Sequence, residues 1–281
     1  SGNAQGGVAI SGATAMNNQV LSNLIGLNIN GDTALQNDSN GVLVIGGANN
    51  TIGGTTVGAG NFISGNADAG VLLTGAGTTG NQVLGNNIGT NSTGALALGN
   101  GNGVRISGGA SGNTIGGTMP EARNIISGNN TGIAIVEAAS TNNQVLGNYI
   151  GTNATGTAGL NQLIGVSISG AVNNTIGGTA TGAGNLISGN TSTGISISGA
   201  TATGNLVQGN SIGTNALGTA ALGNANGVGI SNAAFANTIG GTATNARNII
   251  SGNTNLGLFL SVGATGNLVQ GNFIGLRADG S

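Results

Sequence analysis

The chain has 281 residues, a formal net charge of −2 and only four basic side chains, too few to neutralise the phosphate backbone of a nucleic acid. It has no His and no Cys, which excludes the usual zinc sites and the Ser–His and Cys–His nucleophiles. It has no run of 18 apolar residues, so no membrane span is expected.

The first predicted strand of each repeat is a glycine followed by alternating apolar residues, as in Gly103-Val104-Arg105-Ile106, and this alternation is typical of a half-buried strand. The pattern begins at Gly7, Gly41, Gly70, Gly103, Gly132, Gly165, Gly194, Gly227 and Gly257. A second apolar position follows each of these and recurs at nearly equal steps, at Val20, Ile52, Val83, Ile115, Val145, Ile176, Val207, Ile239 and Val269.

A third predicted strand completes each repeat, and its spacing locates the loops. Its apolar position recurs at steps that alternate between long and short, at Ile25, Ile63, Ile88, Ile126, Ile150, Ile187, Ile212, Ile250 and Ile274. Even repeats therefore carry a loop between the second and third strands, as at 118–123, whereas odd repeats carry one after the third strand, as at 152–162. The structural unit is a coil of about 31 residues, and two alternating coils make a superrepeat of about 62 residues.

The repeat resembles a known family. The segment from Gly194 to Asn210, Gly-Ile-Ser-Ile followed by Asn-x-Val-x-Gly-Asn, resembles the parallel β-helix repeats of the pectate-lyase-like superfamily. It is also similar to Gly/Asn/Thr-rich repeats of large bacterial secreted and cell-surface proteins. The expected fold is all-β: a right-handed, single-stranded parallel β-helix (β-solenoid) of about nine coils.

The resemblance also implies a role for the Asn residues that follow the second or third strand. At these positions we expect one corner of the solenoid to carry an inward stack in which each side-chain amide bonds the next, which satisfies buried polar atoms. The predicted members are Asn66, Asn86, Asn129, Asn148, Asn190, Asn210, Asn253 and Asn272.

Two Asn-x-Ser/Thr sequons, at Asn91 and Asn153, fall in equivalent loops of odd repeats. We expect these loops to be exposed, which makes both residues candidates for glycosylation. A surface with so little charge needs another means of staying soluble.

Carbohydrate-active members of the superfamily resemble one another in carrying acids or basic residues on the outer face of the solenoid. Here the outward column of the first strands is predicted to contain no acid: Ala9, Leu43, Leu72, Arg105, Ala134, Ser167, Ser196, Gly229 and Phe259. A glycosidase needs two carboxyl groups about 5–9.5 Å apart, and only Asp32 and Asp38, in one loop, form a plausible pair. We interpret this loop as solvated, and the sequence predicts no catalytic, metal-binding or cofactor-binding residue.

The sequence therefore favours a single non-catalytic β-solenoid domain over 1–281, a structural or adhesive rod of a secreted or cell-surface protein. The segment begins and ends in mid-repeat without a polar capping coil, so we expect part of a longer array or a fibre subunit. Expected partners are the continuing chain or further copies joined end to end, and glycans. The alternatives are a carbohydrate-binding or carbohydrate-active module and an ice-binding solenoid, against which the mixed outward column argues.

Overall fold

The fold is a solenoid of three parallel sheets, seen in a computed structural model that describes residues 1–276, 279 and 280. The first sheet contains β1 (Val8–Ser11), β4 (Val42–Ile45), β7 (Ala69–Thr74), β10 (Asn102–Ser107), β13 (Thr131–Val136), β16 (Ile164–Ser169), β19 (Thr193–Ser198), β22 (Asn226–Ser231) and β25 (Leu256–Leu260). The second contains β2 (Gln19–Val20), β5 (Thr51–Gly53), β8 (Gln82–Leu84), β11 (Thr114–Gly116), β14 (Gln144–Leu146), β17 (Thr175–Gly177), β20 (Leu206–Gln208), β23 (Thr238–Gly240) and β26 (Leu268–Gln270). The third contains β3 (Leu24–Ile25), β6 (Phe62–Ile63), β9 (Asn87–Ile88), β12 (Ile125–Ile126), β15 (Tyr149–Ile150), β18 (Leu186–Ile187), β21 (Ser211–Ile212), β24 (Ile249–Ile250) and β27 (Phe273–Ile274).

Successive groups of three strands form coils 1 to 9, with β1–β3 in coil 1. The first corner joins the first sheet to the second, the second corner joins the second to the third, and the third corner leads into the next coil. Each strand pairs in parallel with its equivalents in the neighbouring coils, as Val104 does with Val71 and Ile133. The predicted right-handed parallel β-helix is confirmed, and three nine-stranded sheets run through the described residues.

The core is a stack of branched aliphatic side chains that point inward from all three sheets. In coil 4 these are Val104, Ile106, Ile115 and Ile126, all fully buried. Burial of one such side chain stabilises the fold by about 1.5–3 kcal/mol. A single coil cannot enclose its apolar face, so this stabilisation requires stacked neighbours.

The outward column of the first sheet is the one predicted from the sequence. Arg105 lies between Leu72 of coil 3 and Ala134 of coil 5, and the same register continues through the sheet from Ala9 to Phe259. The alternation of apolar and variable residues alone was sufficient to identify this face, because successive side chains of a strand point to opposite sides.

The two kinds of loop lie where their spacing predicted them. Even coils carry seven-residue loops at the second corner, at 54–60, 117–123, 178–184 and 241–247, and odd coils carry eleven-residue loops at the third corner, at 26–36, 89–99, 151–161 and 213–223. In coils 4 and 8 the even loop contains a short 3-10 helix, Pro120–Ala122 and Thr244–Ala246. Each odd loop is closed by an antiparallel bridge, such as that between Thr90 and Ala97.

Loops of the same kind contact one another across the coil that separates them. The odd loops form a hydrogen-bonded series that we call the odd-loop ridge: Ser92 N to Gly31 O (2.8 Å), Ala154 N to Gly94 O (3.3 Å) and Ala216 N to Gly156 O (2.9 Å). The even-loop ridge includes a bond of 2.6 Å from Asn245 Nδ2 to Thr179 O. In the part of the chain that the structure describes, no helix is long and apolar enough to cross a membrane.

Candidate functional site

Amide side chains line each of the three corners inside the solenoid and form ladders that run along its axis. The first-corner ladder is Asn18, Asn50, Asn81, Asn113, Asn143, Asn174, Asn205, Asn237 and Asn267. The second-corner ladder is Asn23, Asn61, Asn86, Asn124, Asn148, Asn185, Asn210, Asn248 and Asn272. The third-corner ladder is Asn3, Asn37, Asn66, Asn100, Asn129, Gln162, Asn190, Asn224 and Asn253.

A typical rung uses all the hydrogen-bonding capacity of its side chain. The backbone N and the Nδ2 of Asn81 both donate to Asn113 Oδ1, at 2.9 and 3.0 Å, and Nδ2 also donates to Gly47 O at 3.0 Å. Asn81 Oδ1 accepts the matching pair of bonds from Asn50. An amide with every donor and acceptor paired can be fully buried without a desolvation penalty that outweighs its bonds.

The prediction of a single Asn corner was wrong, because the eight predicted residues divide between two ladders. Asn86, Asn148, Asn210 and Asn272 lie in the second-corner ladder, and Asn66, Asn129, Asn190 and Asn253 lie in the third-corner ladder. Both sets follow a strand and a glycine, so the local pattern is the same at two different corners.

Sequence reasoning missed the whole first-corner ladder, although a signal was present. Asn50, Asn113, Asn174 and Asn237 each open the recurring string Asn-Thr-Ile-Gly-Gly-Thr. Each of these Asn residues precedes the second strand, whereas the prediction covered only Asn residues that follow the second or third strand.

The two glycosylation candidates cap their own loops. Asn91 Oδ1 accepts bonds of 3.0 Å from the backbone N of Ala95 and of Leu96, and Asn153 Oδ1 accepts the equivalent bonds at 2.9 and 3.3 Å. The two loops contain exposed residues, as expected, but the side chain of Asn91 is only 6% exposed and that of Asn153 is half-buried, because each amide oxygen organises the turn and points into it. Glycosylation at either residue stays a prediction.

Asp32 and Asp38, the two acids predicted to form a pair in one loop, are not joined by a hydrogen bond. Asp32 accepts bonds from Asn28 Nδ2 at 2.7 Å and from Thr33 Oγ1 at 3.0 Å, and these bonds lower the pKa of its carboxyl group below the ordinary value. Asp38 contacts Asn3 O through its backbone N. Within the described residues, no three His, Cys, Asp or Glu side chains come together as a metal site would require.

The outer face of the third sheet forms the floor of a groove along the rod, because the two loop ridges lie on either side of it. Its floor is the outward column Leu24, Phe62, Asn87, Ile125, Tyr149, Leu186, Ser211, Ile249 and Phe273. Two clefts open at equivalent positions of this groove, four coils apart. One, of about 210 Å³, includes Gly60, Phe62 and Asn87, and the other, of about 180 Å³, includes Gly184, Leu186 and Ser211.

Arginine–aromatic pairs alternate with these clefts along the groove. The guanidinium carbon of Arg123 lies 4.1 Å from the ring centre of Tyr149, and that of Arg247 lies 3.9 Å from the ring centre of Phe273. Each Nε also donates to a carbonyl of the next coil, at 3.3 Å to Gly147 and 3.0 Å to Gly271. The groove therefore repeats every four coils, a distance of about 19 Å at ~4.8 Å per coil.

Coils 2 and 6 have glycine where coils 4 and 8 have arginine. A Cβ built on Gly60 or on Gly184 would overlap the carbonyl oxygen of Gly85 or of Gly209 in the next coil. In coils 4 and 8 the arginine Nε donates to the equivalent carbonyl oxygen of the next coil instead. The arginine side chain thus connects two coils at a position where, in coils 2 and 6, the backbones of neighbouring coils are in direct contact. Each cleft therefore lies where an arginine side chain would extend if the glycine were an arginine.

No protein-family model matches the chain, and no curated protein is similar to it in sequence. Among solved structures it is similar to the periplasmic alginate epimerase AlgG, with 15% identity, a TM-score of 0.37 and coverage of 85% of this chain. The matched region is 51% of the epimerase, so this chain spans about half its length, and the likeness carries no argument about activity. The architecture of the chain, a parallel β-helix built from repeats, is therefore established by its own three parallel sheets.

Proposed function

We propose that the chain is a non-catalytic structural or adhesive rod that acts outside the cytoplasm, in a secreted or cell-surface protein. The observation that carries this proposal is the set of three amide ladders, which run through all nine coils. Each coil is tied to the next by backbone pairing in three sheets and by side-chain bonds at three corners. Such an array resists bending, since every junction is closed on all sides of the axis.

The partners in this proposal are the continuing chain or further copies stacked end to end. Stability in a solenoid is a sum of coil terms and nearest-neighbour junction terms, so extra coils lengthen the rod without changing its cross-section. The proposed location rests on the similarity of the repeats to those of bacterial secreted and surface proteins.

Electron microscopy of material from the native source tests the rod, combined with activity assays on the purified chain against a panel of polysaccharides. We expect straight fibres or rods with an axial spacing of ~4.8 Å and no change in any polysaccharide. Reproducible cleavage or epimerisation by the purified chain would overturn the proposal.

Glycan binding without catalysis is a second candidate, supported by the groove over the third sheet. Its two clefts combine an aromatic or aliphatic floor with backbone and hydroxyl groups, as at Tyr149, Leu186 and Ser211. Aromatic faces and convergent polar groups are what a small polar ligand needs for binding.

Titration calorimetry with glycans selected on an array tests this second function. If the groove binds them, Tyr149→Ala and Phe62→Ala should each weaken binding about tenfold, since one aromatic contact contributes up to about 1.5 kcal/mol. Phe259→Ala is the matched control, because it removes an outward aromatic ring from the first sheet. Equal affinity in all variants would exclude the groove.

A further inference from the structure

We propose that coil 5, the central coil, is a built-in yielding point at which the rod opens before any other internal coil. Opening there would divide the solenoid into two blocks, coils 1–4 and coils 6–9. The benefit of such a point rests on the rod function proposed above, but the weakness itself is a property of the fold and can be measured independently. Three departures from the repeat coincide in this coil.

The first departure is Gln162, which interrupts the third-corner ladder. In the equivalent odd coil 3, the backbone N and Nδ2 of Asn100 both donate to Asn129 Oδ1 at 2.9 Å. Asn129 reaches Gln162 Oε1 only through Nδ2, at 3.3 Å, and Gln162 reaches Asn190 Oδ1 only through Nε2, at 3.1 Å. The extra methylene moves the amide away from the backbone, so two successive rungs are single and long.

The other steps of this ladder show that the interruption is local. Double rungs occur at Asn3, Asn66, Asn100, Asn190 and Asn224. Asn37 makes one bond, but at a short 2.8 Å to Asn66 Oδ1. The amide rungs on both sides of coil 5, to coil 4 and to coil 6, are therefore weaker at this corner than those of coils 3 and 7, whereas the backbone bond from Thr191 N to Gln162 O, at 2.7 Å, is retained.

The second departure is Glu137, which occupies a left-handed backbone position at the first corner, with φ 75°. Six other coils have glycine there: Gly12, Gly46, Gly75, Gly108, Gly170 and Gly199. Coil 8 has Asn232, a residue type that tolerates this conformation, followed by Ala233 at φ 62°, and the terminal coil 9 has Val262. Other residues with a Cβ are strained in it. The Glu137 carboxylate accepts a bond of 2.8 Å from Gly108 N in coil 4, but that bond is exposed to solvent.

The third departure is Ser140, whose Oγ is buried in the first corner and has no hydrogen-bond partner among the protein groups, a property it shares with Thr214 Oγ1 in an odd loop of coil 7. Equivalent positions in other coils are mostly alanine, as at Ala110 and Ala171, which bury a methyl group without a polar atom. Where coil 3 has a hydroxyl, Thr78 Oγ1 bonds both Gly46 N and Thr74 O. A buried hydroxyl without a partner favours the open state, in which water can bond it.

These features act together because an array of repeats opens at the coil whose own stability and junctions are weakest. In a uniform solenoid the terminal coils fray and the centre is the most protected. A weak central coil changes that order among the internal coils, so that a loaded rod extends there in one defined step.

Hydrogen exchange read by mass spectrometry on the intact chain tests this inference. We expect amides of β13–β15 in coil 5 to exchange about tenfold faster than those of β7–β9 in coil 3, as the loss of about two net hydrogen bonds would produce. Gln162→Asn should restore protection in coil 5, and Asn100→Gln should transfer the weakness to coil 3. Slower exchange in coil 5 than in coil 3, or no response to Gln162→Asn, would overturn the inference.

Ser140→Ala keeps the test decisive if Asn100→Gln fails to fold, since it removes the unpartnered hydroxyl and should slow exchange in coil 5. Unchanged exchange in Ser140→Ala would likewise contradict the yielding coil. The measurement uses the isolated chain and no partner, so its failure leaves the rod function untouched. Conversely, an enzymatic activity would remove the rod function without altering exchange.

Discussion

The same side chain, asparagine, organises two regions of this protein that differ in burial: the ladders inside the corners and the caps of the odd loops outside. In both regions the amide oxygen accepts more than one hydrogen bond from protein donors. Asn124 Oδ1 accepts two from Asn86, and Asn153 Oδ1 accepts three, from Thr155 Oγ1, Thr157 N and Ala158 N. Asn124 is fully buried, whereas the bonds of Asn153 face solvent. The surroundings of an amide, more than its number of bonds, therefore determine how much the fold depends on it.

The largest loss of stability is expected when an Asn of the corner ladders is replaced. Asn124→Ala removes two accepted bonds and two donated bonds, to Asn148 Oδ1 and Val83 O, both at 2.8 Å. Because the former partners stay buried without water, the free energy of unfolding should fall by about 3–5 kcal/mol. Urea denaturation followed by circular dichroism measures this loss. A loss no larger than that of an outer-loop variant would contradict the expected difference between the buried ladders and the outer loops.

A smaller effect is expected in the outer loops. Asn153→Ala frees Thr157 N and Ala158 N, but water can bond both, so the cost should be about 1 kcal/mol, similar to the loss of a helix cap. Asn153→Asp is the matched control, because it keeps the accepting oxygen and should stay close to the parent chain. Thermal denaturation of the two variants side by side gives the difference, and an equal loss in both would argue against the cap.

The smallest effect concerns the coil 1 version of the loop, where Asn28 bonds the Asp32 carboxylate. The pKa of Asp32 is lower in the folded chain than in the unfolded chain, so its contribution is present above the unfolded pKa and is lost as the pH falls through the folded value. We expect Asn28→Ala to raise the pKa of Asp32 toward its ordinary value, which carboxyl titration by NMR measures. Because Asp32 is fully exposed, only a slight change in acid stability should accompany this shift, and an unchanged pKa would show that Asn28 is not the cause.

The strands were predictable because their information is local. Alternation such as Val104-Arg105-Ile106 sets which side chains face inward, and its recurrence at equal steps sets the register between coils. The loop positions were equally readable, since the step between third strands lengthens only where residues are inserted. The four-coil period of Arg123 and Arg247 was visible in the sequence, but its meaning was not, because the aromatic partner of each arginine lies on the next coil.

The pattern of residues along the chain is enough to specify the three-strand coil, the number of coils, the outward column of the first sheet and the alternation of loops. Stacking of the coils determines which corner each Asn occupies. Asn66 and Asn86 both follow a strand and a glycine, but they lie at opposite ends of the strands of the third sheet. The tertiary structure also determines that Asn91 is buried and that Arg123 lies on Tyr149. The physical reason is that hydrogen bonds along the axis join residues 24 to 38 positions apart, and stacking, not local sequence, brings them together.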